Sequence, residues 1–504
     1  MYPNTIQDIS KLSKIVTMAY KLRPLWSGFS YFQHQIDGIN WMLDKELQGT
    51  SVPNKNGSSD VLVRGGLQCD DMGLGKTIQV TSCIVNNIKP LSLLLAPLAM
   101  IQTWVDVLIK ASCSVYTIDS KTGEWVLQNP DSPVPRHFIK LRPSVYISNY
   151  EKLYSKASLF HKQWNRIVLD EAHKIRNPDG QIARSARRLS SDIHWAVTGT
   201  PIVNSLKDVV SLLAFIRVPH SPLFRWEPRY LQILPHLLLH RSLDSLRSNI
   251  KGAPPVPIVH NEVLPFQTED EEEFYFGVQG ATESLGKKYA TELLSSSEAF
   301  KLLIRLRQIS VHPQVYINAK RREDDGYDRD DWLESSTKLD RISQIISEDD
   351  QDCVHKYLIF CQFNDEMALI RQHLLNECLI DDDNILMYNG SMNAIERNKV
   401  LTQSKQVNEK MVLLIQLQAG GVGLNLQEYD RIIFVSPWWT SALMDQAIAR
   451  AVRIGQTSVV HIYHLHLSAE KDNSVNIDQL VGHKAEEKRK MLAKLFDYCS
   501  EHSV

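Results

Sequence analysis

Short, nearly continuous apolar runs recur along the chain, each followed by a stretch whose apolar positions repeat at helical spacing. Leu93 to Leu95, Ser144 to Ile147, Ile167 to Leu169 and Trp195 to Thr198 predict buried parallel strands of a first lobe, because a strand covered on both faces loses its polar alternation. Tyr357 to Phe360, Val412 to Ile415 and Ile432 to Val435 predict a second set. Val61 to Leu67 leads into a glycine turn, and Ile78 to Ile88 reads as the helix after it. The pattern is that of an α/β protein with two parallel-sheet lobes. Sheets of this kind bind ligands outside the carboxyl ends of their strands, which places Lys76, Glu171 and Thr198 on one rim.

Between the lobes the pattern changes. Gly252-Ala253-Pro254-Pro255, the acidic Glu269 to Glu273 and a helical stretch ending near His312-Pro313 read as a helical protrusion and linker, with the acidic run as a solvated face. Arg321 to Asp331 lacks apolar periodicity and reads as a mobile connector. The expected organisation is an N-terminal extension at 1–28, a first lobe at 29–245, protrusion and linker at 246–334, a second lobe at 335–470, and a C-terminal helix in 471–504. Leu480, Met491, Leu492 and Leu495 are the apolar positions of that helix.

The chain of 504 residues is 43% apolar, enough for two sizeable cores, and length alone would allow about three domains. A formal net charge of −2 carries no global sign of polyanion affinity, so nucleic-acid binding requires a local basic track. Lys174, Arg176, Arg184, Arg187, Arg188, Arg241, Lys301, Arg305 and Arg307 are its candidates, with solvated helix faces as the alternative. The seven cysteines form no C-x-x-C pair, which argues against zinc and for reduced buried thiols. With no signal sequence and no apolar run near 20 residues, the expectation is a protein that is neither secreted nor membrane-spanning.

The chemistry concentrates in three places. Asp70-Asp71-Met72-Gly73-Leu74-Gly75-Lys76-Thr77 is a phosphate loop in which Asp70 replaces the usual first glycine. Its glycines let backbone N–H groups close on phosphate oxygens at a helix N-terminus, Lys76 suits the β- and γ-phosphates, and Thr77 suits magnesium. Asp170-Glu171-Ala172-His173 follows a buried strand: Asp170 would hold the magnesium ion, and Glu171 would orient and deprotonate the attacking water. Gln446 to Gln456 carries Arg450 and Arg453, whose spacing puts both guanidinium groups on one helix face as arginine fingers.

Together with Thr198-Gly199-Thr200-Pro201-Ile202-Val203-Asn204 and Ala419 to Leu426, these motifs resemble the Swi/Snf-type ATPases of helicase superfamily two. The resemblance runs from about Phe29 to His464. Gln35 is similar to the family's adenine-reading glutamine, while Pro97 to Trp104 and Ser148 to Glu151, with Asn149 and Tyr150, are similar to its first nucleic-acid contacts. Leu302 to Pro313, Ser335 to Lys338, Gln362, Gly390-Ser391, Arg397 and Trp439 complete the order. Asp170 to Asn177 resembles most closely the branch with repair and transcription-termination translocases, and no RING insertion is present.

The resemblance implies two RecA-like lobes with ATP and Mg2+ in the cleft between them and double-stranded DNA as track. Asp70 to Thr77 would bind ATP with Gln35, Gly421 and Gly423. Lys76, Asp170, Glu171, Gln446, Arg450 and Arg453 would be catalytic. Lys174, Arg176, Thr198, Gly199, Thr200, Asn204, Gly420 and Asn425 would join the other DNA-contacting or coupling residues. A translocase displacing DNA-bound protein, whether histones, polymerase or a repair factor, is the implied function. The alternatives are a strand-separating helicase and an ATP-bound scaffold with negligible turnover. The implied location is nuclear in a eukaryotic cell, or intracellular for a virus-encoded protein. Gln416, where relatives place a small hydroxyl residue, and the short Val218 to Leu237 stretch depart from the pattern.

Overall fold

The computed structural model describes residues 20–54, 59–130, 142–290, 296–349, 353–420, 424–468 and 476–502. The chain divides into two compact units, Met1–Lys251 with Lys490–Val504, and Gly252–Arg489.

The first unit is built on an eight-stranded sheet among the described residues. Its spatial order is Leu238–Leu239, Gly65–Gln68, Ser190–Val197, Gln163–Asp170, Leu91–Leu95, Ser144–Ser148, Ser114–Ile118, Trp125–Leu127. All neighbours are parallel except the last pair. The central runs are apolar throughout because both faces are covered: Leu93, Leu94, Leu95, Ile167, Val168 and Leu169 have no exposed surface. Each such side chain contributes about 1.5–3 kcal/mol by leaving water. Two apolar clusters flank the sheet, one holding Leu93, Leu95, Ile167 and Leu169, the other Leu94, Val168, Trp195 and Val197.

The four strands expected here are present. Ser114–Ile118 and Trp125–Leu127 were not anticipated, because each is only half buried and its apolar signal is diluted. Within the expected N-terminal extension, the described residues from Tyr20 are packed: Leu25 is buried, and Tyr20, Leu22 and Trp26 lie against the second cluster. The end of the C-terminal helix, Ile477–His502, belongs to this unit, with Leu495, Phe496 and Cys499 in its core.

The second unit has a wholly parallel six-stranded sheet among the described residues. Its order is Ile258–Pro265, His461–Ser468, Arg431–Phe434, Lys356–Cys361, Met411–Gln416, Ile385–Tyr388. This revises the expected boundary. Ile258–Pro265 falls in the segment read as protrusion and linker, yet it pairs along its whole length with His461–Ser468. As an edge strand it is exposed or half-buried throughout, so no buried apolar run announces it.

Three helices, Glu269–Ala290, Ser296–Ile309 and Pro313–Arg321, pack in the same unit. Arg321–Asp331 is held rather than mobile: Arg321 pairs with Asp331 at 2.5 Å, Arg305 with Glu323 at 2.7 Å, and Tyr327 packs with Trp332 against Phe274 and Ile309. Lys338 is fully buried and bonded to Asp478 at 2.6 Å and Ser436 at 2.7 Å. On the C-terminal helix Val481 is buried while Leu480 beside it is exposed.

Candidate nucleotide site

The phosphate loop runs from the end of strand Gly65–Gln68 into the helix Lys76–Asn86. Gly73 and Gly75 have φ of 86° and 80°, in the left-handed region where a Cβ is strained. At Gly75 a Cβ would also stand 2.5 Å from the Gln35 amide, so this glycine lets Gln35 reach the loop. Gln35 is buried and accepts the Phe32 N–H. Lys76 Nζ lies across the loop, donating to the carbonyls of Asp70 at 2.7 Å and Asp71 at 3.2 Å. Leu74 is buried, its carbonyl 3.0 Å from His34 Nε2. Met72 lies beside Gly199, and a Cβ on Gly199 would stand 3.6 Å from both Met72 and the Lys76 ammonium.

The Asp70 carboxylate does not face a nucleotide. It is fully buried, bonded by Arg241 through two nitrogens and by Gln68 and Gln79 at 2.8 and 3.0 Å. Burial alone raises its pKa, but the Arg241 bonds and charge, with the Gln79 bond, outweigh this and hold it below the usual range. Arg241 is therefore the loop's anchor and not part of a DNA track. Asp71 accepts the Leu243 N–H at 2.9 Å and faces His240, which stacks on Phe496.

Asp170 ends strand Gln163–Asp170, and Glu171 follows in the left-handed region with φ 50°. Such a conformation in a non-glycine residue is costly and clusters at functional sites. Trp104 and Tyr150, expected as nucleic-acid contacts, are both buried behind Asp170. The Trp104 indole donates to Asp170 Oδ2 at 2.7 Å, and the Tyr150 hydroxyl donates to its carbonyl at 2.6 Å. Their signal was the polar tip of a large aromatic, which needs a partner once buried. His173 Nδ1 lies 3.3 Å from both Glu171 Oε2 and Thr198 Oγ1, and the same Thr198 oxygen accepts the Thr200 N–H at 3.1 Å. Loop, carboxylates and the Thr198–Thr200 run thus form one connected rim. His173 is the link that was not singled out.

Burial, and then the neighbouring Glu171 charge, push the Asp170 carboxyl up to about 6. A cation would reverse this, and the Thr77 hydroxyl with the Asp170 carboxylate are the hard oxygen donors that magnesium takes. The unfolded carboxyl titrates near ~4, so between there and pH 6 the folded chain binds more protons and loses stability as pH rises; the full cost stands above pH 6. Asp170→Asn in metal-free protein should therefore raise Tm at pH 8, by ~2–4 °C for each kcal/mol relieved. At pH 4.5 the gain should shrink to about a third, and calorimetry at the two pH values checks it.

In the second unit, helix Ser441–Ala451 carries Gln446, which is buried, and Arg450. Arg453 lies beyond the helix end, so the two arginines do not share one helical face as expected. Its turn is fastened instead by side-chain amides: Gln427 Nε2 donates to the Ile454 carbonyl and Gln456 Nε2 to the Gln427 carbonyl, both at 2.7 Å. Burial pushes the Arg453 pKa down. Leu426 N–H bonds the Arg450 carbonyl at 3.1 Å, and Asn425 beside it is exposed. Gly420 ends the short helix Leu417–Gly420, while Gly421 and Gly423 lie outside the described residues.

Gln416 joins two candidate DNA-contacting loops, accepting the Gly390 N–H at 3.0 Å and donating to the Gln362 carbonyl at 3.1 Å. Ser391 bonds Asn389, and Arg397 donates to the Asn389 and Gly390 carbonyls. Several basic candidates are committed elsewhere: Arg307 is buried over Trp438 at 4.6 Å, near Trp439, Lys301 and Arg305 pair with Glu323, and Arg187 donates to the Pro178 carbonyl. Lys174, Arg184 and Arg188 are exposed and Arg176 half-buried. Pro97 and Asn149 are also half-buried, Asn149 donating to Glu151, and Asn204 is exposed.

Comparison with known proteins assigns the class. Residues 34–315 match the SNF2-related domain and residues 337–455 the helicase conserved C-terminal domain. The chain belongs to the SNF2-related family, and is an ATPase of the helicase-like class. It is 26% identical over 496 residues to the "Probable global transactivator" of Orgyia pseudotsugata multicapsid polyhedrosis virus, covering 94% of this chain and 93% of that protein. It is 24% identical to the "Putative ATP-dependent helicase/translocase YwqA" of Bacillus subtilis (strain 168), covering 91% of this chain but 48% of that one. The chain thus spans nearly all of its viral relative and under half of the bacterial one. The Sulfolobus solfataricus SWI2/SNF2 ATPase core in complex with dsDNA aligns at 23% identity and TM-score 0.39, over 94% of this chain and 96% of that one. Among the described residues no helix is long and apolar enough to cross a membrane.

Proposed function

We propose that the chain is an ATP-dependent double-stranded DNA translocase that displaces or remodels DNA-bound protein. The observation that carries this reading is the connected rim of Lys76, Asp170, Glu171, His173 and Thr198. It couples a phosphate loop and a water-activating carboxylate to the Thr198–Thr200 run in one network. In the proposed cycle Lys76 leaves the Asp70 and Asp71 carbonyls for phosphate oxygens, and Thr77 and Asp170 hold Mg2+. Glu171 takes the proton of the attacking water, with His173 orienting its carboxylate. Arg450 and Arg453 stabilise the transferring phosphoryl group, and Gln446 lies buried in the helix that carries Arg450.

Each round of ATP hydrolysis advances the protein along a phosphate backbone. Lys174, Arg176, Gly390, Ser391 and Asn425 are the proposed contacts to that backbone. Since phosphates carry no base code, binding is sequence-indifferent and steeply salt-dependent. The Asp170–Asn177 sequence supports the repair and transcription-termination branch.

Steady-state hydrolysis with no nucleic acid, single-stranded DNA, duplex DNA and RNA tests the reading. Duplex should stimulate most, with stimulation falling as salt rises and lost in Glu171→Gln. Equal rates with every nucleic acid and with none would sink it. Separation of a forked duplex would turn the reading to a strand-separating helicase.

A further inference from the structure

We propose that the second unit carries a docking groove for a cationic, aliphatic peptide segment of another protein. The proposal stands apart from the nucleotide reading, since none of its residues belongs to that site. The groove has a volume of about 710 Å3 and lies between helix Glu269–Ala290, Tyr316 and the connector that ends at Glu334.

Its floor is aromatic. Phe274 packs edge-on against Tyr316 and stacks with Trp332, while Tyr327 meets Tyr316 at 6.5 Å. Beside these rings Leu333 stands 92% exposed, an apolar side chain with nothing over it. The Arg329 guanidinium lies 3.7 Å from the Phe274 centroid, so a ring of this floor already holds one cation by its face.

Charge determines which partner fits. Asp270, Glu273 and Glu334 also line the groove, and among the described residues none has an ion-pair partner; Asp331 is taken by Arg321. With Arg329 as its one lysine or arginine among the described residues, the lining is net acidic, so it repels phosphate and favours a basic peptide with an aliphatic anchor over nucleic acid.

The helix supplies the space. Gly277 lies inside Glu269–Ala290, where glycine costs about 1 kcal/mol relative to alanine, and nothing lies within 4 Å of where its Cβ would stand. Packing within the chain does not require this glycine. It keeps this wall of the groove clear of a side chain near Phe274, and Ala281, one turn further on, lines the same wall.

The test uses the full chain and fluorescein-labelled 14-residue peptides in about 0.15 M salt. One peptide is built of Lys, Leu and Ala, one has Glu for every Lys, and one has Ser for every Leu. Anisotropy should show the Lys/Leu peptide binding at least about tenfold tighter than either of the others. Glu273→Lys and Gly277→Leu should each weaken it by a similar factor, while Gly277→Ala binds normally because its methyl group has room. ATP turnover with and without DNA should be the same in all three variants. Unchanged peptide binding in Glu273→Lys and Gly277→Leu would overturn the proposal, as would equal affinity for the Lys/Ser peptide, which would reduce the effect to bulk charge. A loss of DNA affinity in Gly277→Leu would assign the face to nucleic acid, and a dimer dispersed by the same change in sedimentation would assign it to a second copy. Either result also overturns the proposal.

Discussion

Arg453→Ala should lower DNA-stimulated ATP turnover by ~10³ to 10⁵, the range an arginine finger supplies, while leaving nucleotide affinity little changed. The split between the two readouts follows from the role. A finger acts on charge that develops during phosphoryl transfer, so its loss appears in kcat and not in ground-state binding. Lys76→Ala is the contrast, because it removes a cation from the loop itself and should weaken binding of a fluorescent ATP analogue. Arg453→Lys should fail almost as badly as alanine, since an ammonium lacks the planar fork. The turn that carries Arg453 is fastened by the Gln427 and Gln456 amides, so the backbone that would present its guanidinium is already held. Near-normal turnover in Arg453→Ala, or a parallel collapse of turnover and nucleotide affinity, would remove the finger role.

Much of this was legible in the sequence because the features are local. Buried parallel strands are written as apolar runs, and glycines that must take positive φ fall where the loop needs them, as at Gly73 and Gly75. What was not legible depends on partners distant in sequence. Trp104 and Tyr150 look like exposed contacts until the fold puts both behind Asp170, 66 and 20 residues away. Arg241 looks like one more basic residue until it meets Asp70, 171 residues earlier. Helical spacing suggested a shared face for Arg450 and Arg453, but the helix stops between them. The edge strand Ile258–Pro265 escaped notice because an exposed edge carries no buried run.

The substitution of Asp70 for the first loop glycine gains its meaning from this. A carboxylate beside a phosphate site would repel its ligand if it faced the loop's interior. Here it turns inward, and Arg241, Gln68 and Gln79 gather around it, tying the loop to the chain after Leu238–Leu239. The loop's shape is held by a buried ion pair in place of glycine's freedom at that position. His240 and Asp71 add a second, more exposed link across the same junction.

Arg241→Met tests that arrangement and should strongly destabilise the first unit. It leaves Asp70 without its cation in a fully buried place, and breaking such a pair from one side costs about 3–5 kcal/mol. At ~2–4 °C per kcal/mol, the first unit should melt ~6 to 20 °C lower. The pH dependence gives the mechanism. In the wild type the Asp70 pKa is held below its ordinary value, so the pair's stabilisation is present above the unfolded carboxyl's pKa and is lost as pH falls through the folded one. Without Arg241, burial raises the Asp70 pKa, the carboxyl takes up a proton on mild acidification, and the variant's deficit should narrow between pH 8 and pH 5. Asp70→Asn in the same background should recover part of the loss at pH 8, because an amide needs no counter-charge. If Arg241→Met melts like the wild type at pH 8, or if its deficit is the same at both pH values, the guanidinium is not what holds the loop.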